Sequence, residues 1–423
     1  MSVKNISEGI NLNIIKTDKF KTNILAVNFI RPLNKEEASF NALIPSVLKR
    51  GSKKYKSMDI LQSKLDMLYG TSVYGNVDKK GDNHIFGLTM SFVDEKYISQ
   101  DVNMMKECTD VLFDILLNLQ IKDNGFNIDY VEGEKKNLIN KIKAQINDKR
   151  IYSINRCLEE MCKNEAYGIS EIGEIETVEK ITAEKLLEHY KNVLETSKIE
   201  IFFVGSEENS KGLVTRLKRK FSKISRKNIV NIENTIVEKT EKIKSVEDNL
   251  NVTQGKLVMG FRTGLINKDN AAAYSLFNVI FGGSPTSKLF MNVREKLSLC
   301  YYCSSRINRQ KSIMYIASGI EFENKNKAYD EILSQLESVK NGEFTFEDID
   351  NAKKYLTNAY MTLEDTNMGI ADFYLSRIID GDIVSPSEMV KDILKVKKDD
   401  IISCANNLTL DTVYFMNKKD GGM

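Results

Sequence analysis

Histidine is nearly absent from this chain. The 423 residues include two, His84 and His189, and neither has a second histidine at helical spacing. A zinc motif built on a histidine pair therefore cannot be written anywhere in it. Both histidines read as surface or capping residues. Long apolar runs are missing as well. No stretch of about 18 uncharged apolar residues occurs, so no membrane-spanning helix is expected. The opening run MSVKNISEGINLNIIKTDKF lacks the apolar centre and small-residue cleavage site of a signal peptide. Charge of one sign is not in excess: Lys plus Arg is 61 and Asp plus Glu is 59. That balance removes the basic footprint of a nucleic-acid binder. The basic run Arg216 to Lys227 (RLKRKFSKISRK) reads as a solvated helix end and linker. Six cysteines are too few for a disulfide scaffold in a chain of this length. Cys300 and Cys303 form a lone C-x-x-C in a strand-like run, without the second pair of a zinc ribbon or the strand-to-helix placement of a redox motif. Small-residue packing, reduced thiols and a cytoplasmic location follow. There is no P-loop, no nucleophile elbow and no G-x-G-x-x-G after a strand.

What is present is an internal repeat. Gly51-Ser52 matches Gly283-Ser284, Lys64-Leu65 matches Lys296-Leu297, and Tyr69 matches Tyr301, all at one spacing of 232 (283 − 51). Upstream, NILAVNFIRPLN from Asn23 resembles KLVMGFRTGLIN from Lys256. Downstream, FNIDYVEGEKKNLIN from Phe126 resembles FTFEDIDNAKKYLTN from Phe344. A closing strand, IEIFFV from Ile199, resembles TVYFM from Thr412. Four matches in the same order predict two similar domains, 1–225 and 245–423, joined by a Lys-, Glu-, Asn- and Ser-rich stretch from Ser222 to Asn251.

Each copy predicts the same order of elements. The first has strand Ile24–Arg31, helices near 36–50 and 58–68, and strands at Ser72–Asn76 and His84–Phe92. Helices near 98–119, 127–147, 150–163 and 182–194 follow, with strand Ile199–Val204. The second has strand Lys256–Arg262, a helix to Phe281, and a helix from Pro285 to Leu297 with Ser284 as its N-cap. Strands at Leu299–Ile307 and Ser312–Glu321, more helices, and strand Thr412–Met416 complete it. Strand hairpins alternating with helix runs favour an α+β fold, each domain an antiparallel sheet covered by helices on one face.

The run Gly282 to Tyr301, GGSPTSKLFMNVREKLSLCY, resembles the substrate-binding signature of the pitrilysin/insulinase/mitochondrial-processing-peptidase family. The resemblance covers most of the chain and implies two tandem domains of a metallohydrolase fold. In that family an inverted zinc motif, H-x-x-E-H, lies on a helix nine residues before the Gly of the Gly-Ser pair, with a further glutamate downstream. Here those positions hold Ala42, Pro45 and Ser46, and the downstream carboxylate falls on Lys141, in the helix that includes Glu134. None of the first three can ligate zinc usefully or act as a general base, and a cation at Lys141 is hostile to a metal.

The resemblance singles out Arg294 and Tyr301 as the substrate-binding pair. A guanidinium offers several donors in a rigid fork, and a phenol adds a donor on an apolar ring. Together they suit the carbonyl oxygens of an extended peptide and the charge that develops on one of them. Strand alternation puts Leu299, Tyr301 and Cys303 on one face and Cys300, Tyr302 and Ser304 on the other. The first copy has Gln62 where the second has Arg294, so only the second copy carries the whole pair. By resemblance, the chain is expected to be the non-catalytic subunit of a heterodimeric zinc peptidase, inactive alone and without a cofactor of its own. Zinc is expected in a homologous partner bearing H-x-x-E-H, and the substrate in an unfolded peptide. No nucleic-acid or membrane partner is expected. A structural core-type subunit and a peptide-binding chaperone are the rival readings.

Overall fold

The computed structural model describes residues 1–99 and 101–419, in two compact units. Unit 1 comprises Met1–Lys143, Ile169–Glu233 and Glu364–Ile379. Unit 2 comprises Ala144–Gly168, Asn234–Leu363 and the chain from Asp380 onward. Neither is a contiguous half. Both depart from 1–225 and 245–423 by one helical segment taken from the other half of the sequence.

Unit 1 is built on strands β1 (Ser2–Ser7), β2 (Ile10–Lys16), β3 (Thr22–Pro32), β4 (Ser72–Lys80) and β5 (Asn83–Val93). A two-residue hairpin, β6 (Ile121–Lys122) and β7 (Gly125–Phe126), stands apart, and β8 (Lys198–Gly205) completes the main sheet. The sheet order is β1-β2-β8-β3-β5-β4. Unit 2 has β9 (Lys244–Leu250), β10 (Gly255–Arg262), β11 (Cys300–Asn308), β12 (Ile313–Ile320) and β13 (Thr409–Lys418). Its order, β9-β13-β10-β12-β11, matches β2-β8-β3-β5-β4 strand for strand. Unit 1 adds only β1.

Two features correct the expected antiparallel sheet with one covered face. Each sheet contains one parallel pair, β2 with β8 and β9 with β13, beside its antiparallel pairs. Each sheet is also covered on both faces. In unit 2, Leu257, Met259 and Phe261 face the larger core, while Val258 faces a second cluster with Ala317, Tyr414 and Met416. The helix Lys149–Met161 fills that second face with Ile154, Cys157, Leu158 and Met161. In unit 1 the helix Asn367–Ile379 packs on β3 and β8. These are equivalent helices, each of 13 residues, whose starts differ by 218 (367 − 149). Each serves the unit that the rest of its own repeat does not form.

The physical reason is in β3 and β10. Their near-continuous apolar runs, ILAV in β3 and LVM in β10, put large side chains on both faces, and both must be buried. Gly260 is the fitting point for Met161: a Cβ there would lie 2.7 Å from its sulfur. Ion pairs then lock the segment in unit 2. Arg262 Nε lies 2.9 Å from Asp411 Oδ2 and Arg262 Nη2 2.7 Å from Glu165 Oε1. Lys311 Nζ lies 2.8 Å from Glu165 Oε2. All four side chains are buried.

The sequence reading assigns no strand before Ile24, yet β1 and β2 form a hairpin, with Ile10, Leu12 and Ile14 in the core of unit 1. Asn13 between them is buried but donates to Glu200 Oε2 at 2.7 Å. The helix expected over 98–119 runs from Met104 to Leu117, where Asn103 accepts the Lys106 N–H at 2.7 Å. Gln100, inside the expected span, lies outside the described residues.

Candidate functional site

The helix Lys35–Leu48 starts on Asn34, whose side chain accepts the Glu37 N–H at 2.8 Å. Its far turns carry Ala42, Pro45 and Ser46. The helix Ile128–Ala144 carries Glu134, Asn137 and Lys141, three positions of one helical face. These six residues line one cavity of about 150 Å³ with Gly75 and Val77 of β4. The four positions that the sequence singles out thus meet, although Lys141 is distant from the others in the chain. Gly75 lets β4 come close: a Cβ there would sit 2.9 Å from Pro45 Cβ.

This donor set does not fit zinc. Ala42 and Pro45 offer no ligand atom, Ser46 only a neutral hydroxyl, and Lys141 a cation. Glu134 is engaged on both oxygens: Oε1 pairs with Arg50, and Oε2 accepts from Asn137 Nδ2 at 3.1 Å. Among the described residues no group of three or more His, Cys, Asp and Glu is placed to hold a metal ion.

The same helix holds both histidines, which corrects the reading of them as surface or capping residues. His84 is fully buried. Asn41 Nδ2 donates to His84 Nδ1 at 3.2 Å, which leaves the His84 proton on Nε2. Asn41 Oδ1 accepts from His189 Nε2 at 2.8 Å. Burial pushes both imidazoles down to about 4. They are neutral structural groups joined by one amide, and they face Arg31, which grips Glu37 through Nε at 2.8 Å and Nη2 at 3.1 Å.

In unit 2 the helix Ala271–Asn278 continues as wide turns over Val279–Gly283. Ser284 is not the N-cap of the next helix. Its hydroxyl donates back to the Val279 carbonyl at 3.0 Å. The next helix spans Leu289–Lys296, and Ser287 Oγ accepts the Phe290 N–H at 3.4 Å. This helix is also widely wound: Leu297 N donates to Asn292 O at 3.1 Å, an i to i−5 bond. Such turns are uncommon and concentrate at functional sites.

Arg294 lies on this helix, its guanidinium 4.6 Å from the centre of the Phe290 ring and 3.5 Å from Glu295. Its side chain is 40% exposed. Tyr301 is 59% exposed and donates its hydroxyl to Glu321. No hydrogen bond joins Arg294 to Tyr301. The β11–β12 register slips between Cys300 and Tyr302, so Tyr301 occupies a β-bulge. The bulge overturns the expected alternation. Cys300 and Cys303 now face the same core, while Tyr302 packs in the cluster on the opposite face. The Cys303 hydrogen bond, helped by the Arg294 charge, holds the Cys300 thiol below its ordinary value, and Cys303 is pushed well up.

Sequence reasoning missed the concave surface beside this segment. Ser284, Thr286, Lys288, Asn292 and Tyr355 line a cavity of about 220 Å³ with Asp348, and burial lowers the Lys288 amine from its usual value. The Ser-Pro-Thr-Ser-Lys run between two helices was the available signal. Among the described residues no helix is long and apolar enough to cross a membrane.

Known proteins resemble this chain in sequence and in fold. The family model described as the peptidase M16 inactive domain matches residues 180–356. A probable inactive metalloprotease, YmfF, of Bacillus subtilis is 34% identical over 414 residues, covering 98% of this chain and 97% of that protein. The crystal structure of a conserved protein from Enterococcus faecalis superposes with a TM-score of 0.90 at 27% identity, covering 100% of this chain and 99% of that one. A peptidase M16 inactive domain from Pseudomonas fluorescens superposes at 0.73 with 15% identity, over 100% of this chain and 99% of that one, a likeness of fold.

Proposed function

The chain belongs to the peptidase M16 family, among its inactive members, and from that premise we propose that it is the non-catalytic, substrate-binding subunit of a two-chain zinc peptidase. The partner would share the fold and carry H-x-x-E-H with its zinc. Substrates would be unfolded peptides or small proteins.

One observation carries this reading: the two units differ in what they offer a substrate. The motif positions of unit 1 hold no metal ligand. Unit 2 presents a fixed charge and a phenol at its surface, where neither serves the core. Arg294 spends its donors on an adjacent carboxylate and an aromatic face, contacts that solvent and substrate can replace at little cost. Gln62, at the matching position of unit 1, is bound to Asp66 of its own helix at 2.8 Å. A guanidinium and a phenol aimed at a peptide carbonyl supply donors that strengthen as negative charge develops.

Co-expression with a chain of similar length bearing H-x-x-E-H, followed by affinity capture and a peptidase assay, tests the proposal. A stable pair that cleaves unfolded peptide only when both chains are present, and stops on chelation, supports it. Capture without cleavage favours a structural core-type role. Peptide retention by the chain alone, with no partner captured, favours a chaperone.

A further inference from the structure

The cavity beneath the helix Lys35–Leu48 is lined by residues that do not suit a metal ion. Ala42, Leu43, Pro45, Val77, Leu138 and Ile172 form the apolar part of its wall. Its polar groups are Ser46, Glu134, Asn137 and Lys141. Glu134 is the one carboxylate, and Arg50 and Asn137 already occupy its oxygens. Lys141 is exposed and, among the described residues, has neither an ion pair nor a hydrogen bond. Ser46 Oγ is likewise uncommitted, and a second N–H of Asn137 remains available. The lining carries one charge of each sign, Lys141 and Glu134, and Arg50, outside the lining, neutralises Glu134 through its ion pair. A volume of about 150 Å³ holds a carboxylate on a short aliphatic stem, and little more.

We propose that this cavity is a carboxylate pocket, in which Lys141, Ser46 and Asn137 receive an acidic group of a bound peptide. Where a family enzyme would place a cation on carboxylate and imidazole ligands, this chain places the cation on the protein and leaves room for the anion. The inference deepens the substrate-binding reading and rests on it: it names acidic character as what unit 1 recognises. The carboxylate comes either from the peptide C-terminus or from an Asp or Glu side chain. Both have the same planar, bidentate acceptor chemistry, and a lysine reads it as a point charge.

The test uses the full-length chain alone and fluorescence anisotropy with short unstructured labelled peptides. One set carries a single internal Glu or its Gln counterpart. The other carries a free C-terminal acid or its amide and no other acidic group. In at least one set the acid should bind about tenfold more tightly than its neutral match, as a charge-assisted hydrogen bond implies. The set that discriminates identifies the source of the carboxylate. Lys141→Met should erase the difference and Lys141→Arg should keep most of it. Both variants should fold, since Lys141 is exposed. Equal binding of acid and neutral peptides, or a preference untouched by Lys141→Met, overturns the pocket while leaving peptide binding intact. Failure of every peptide to bind overturns the pocket, and the two-chain reading then stands or falls on its own cleavage assay.

Discussion

In unit 1 the stretch after the first long helix closes on itself. Ser52 is buried, donates its hydroxyl to Asp114 and accepts the Tyr55 N–H at 3.0 Å. The helix Met58–Met67 that follows is a regular α-helix, capped by Ser57. In unit 2 the matching Ser284 sits between two widely wound segments, and the following helix presents Arg294 and a cavity lined by hydroxyls and an amine. One strand order therefore supports two different local designs. The sheet is set by apolar periodicity and register. The helix-loop-helix above it is free to become a satisfied structural corner or a surface of available donors. The exchanged helices differ too. Lys149–Met161 is followed by the buried Arg262–Glu165–Lys311 network. Asn367–Ile379 is tied by Lys80 to Asp372 at 2.8 Å, with Asp372 63% exposed.

That difference between the exchanged helices yields the largest expected effect. Arg262→Ala leaves Asp411 without its buried cation and weakens the hold on Glu165. It should cost about 3–5 kcal/mol in urea unfolding of the purified chain. Asp372→Ala removes a pair whose carboxylate is largely exposed and leaves Asp78 4.0 Å from Lys80, and it should cost about 1 kcal/mol. Similar costs for the two variants would mean that both helices are held by their apolar faces alone.

The contrast between Arg294 and Gln62 comes next. Arg294→Ala should leave the fold and partner capture intact and lower cleavage by the assembled pair roughly ten- to a thousandfold, the cost of one oxyanion-type donor. Tyr301→Phe should act in the same direction. Gln62→Ala, the internal control, should leave cleavage unchanged. If both unit 2 variants cleave at the unmodified rate, these residues are structural.

How far the sequence reveals this depends on the range of the contact involved. Most helix and strand positions in both repeats follow from local periodicity, whereas the β1–β2 hairpin and a helix start at Met104 instead of near 98 do not. The resemblance names Ala42, Pro45, Ser46 and Lys141, and a spacing of seven puts Glu134 and Lys141 on one helical face, but that they line one cavity shows only in the structure. Three further features were not legible. The Tyr301 bulge depends on pairing with β12, which alternation in β11 cannot show. The exchange of helices leaves a trace in the two-sided apolar runs of β3 and β10, but such runs do not say which helix covers the second face. The burial of His84 and His189 rests on Asn41, a residue that nothing in the sequence marks.

Those two histidines set a smaller, pH-dependent difference between the units, since unit 1 holds both. Burial lowers the native values to about 4 against 6.5 for the unfolded chain. Around His84, Glu37 and the Glu171 backbone favour the protonated form, while Lys79 and His189 oppose it. Below 6.5 the unfolded state binds the proton first. Stability is therefore full above 6.5, falls as pH drops toward 4, and flattens below. For the buried His84 this loss is roughly 3 to 4 kcal/mol. His84→Gln, which retains an amide for Asn41, should flatten the unfolding midpoint across that window. An unchanged slope would place the titrating group elsewhere.

The smallest expected effect is none, and it bears on the cavity of unit 1. A bound structural or catalytic zinc stabilises only the folded state, so its removal lowers the melting temperature. Ala42, Pro45, Ser46 and Lys141 supply at most one weak neutral ligand and one opposing charge, with the Glu134 carboxylate already held by Arg50 and Asn137. Metal analysis of the purified chain should find zinc well below one per chain, and a chelator should leave its melting temperature unmoved. The quadruple change Ala42→His, Pro45→Glu, Ser46→His and Lys141→Glu sharpens the point. It brings three ligands, two imidazoles and a carboxylate, and a base to one cavity, and it should confer zinc-dependent stabilisation that the unmodified chain lacks. Stoichiometric zinc in the unmodified chain, lost on chelation with a fall in stability, would show that ligands come from residues other than these four, and the cavity would then have to be reassigned.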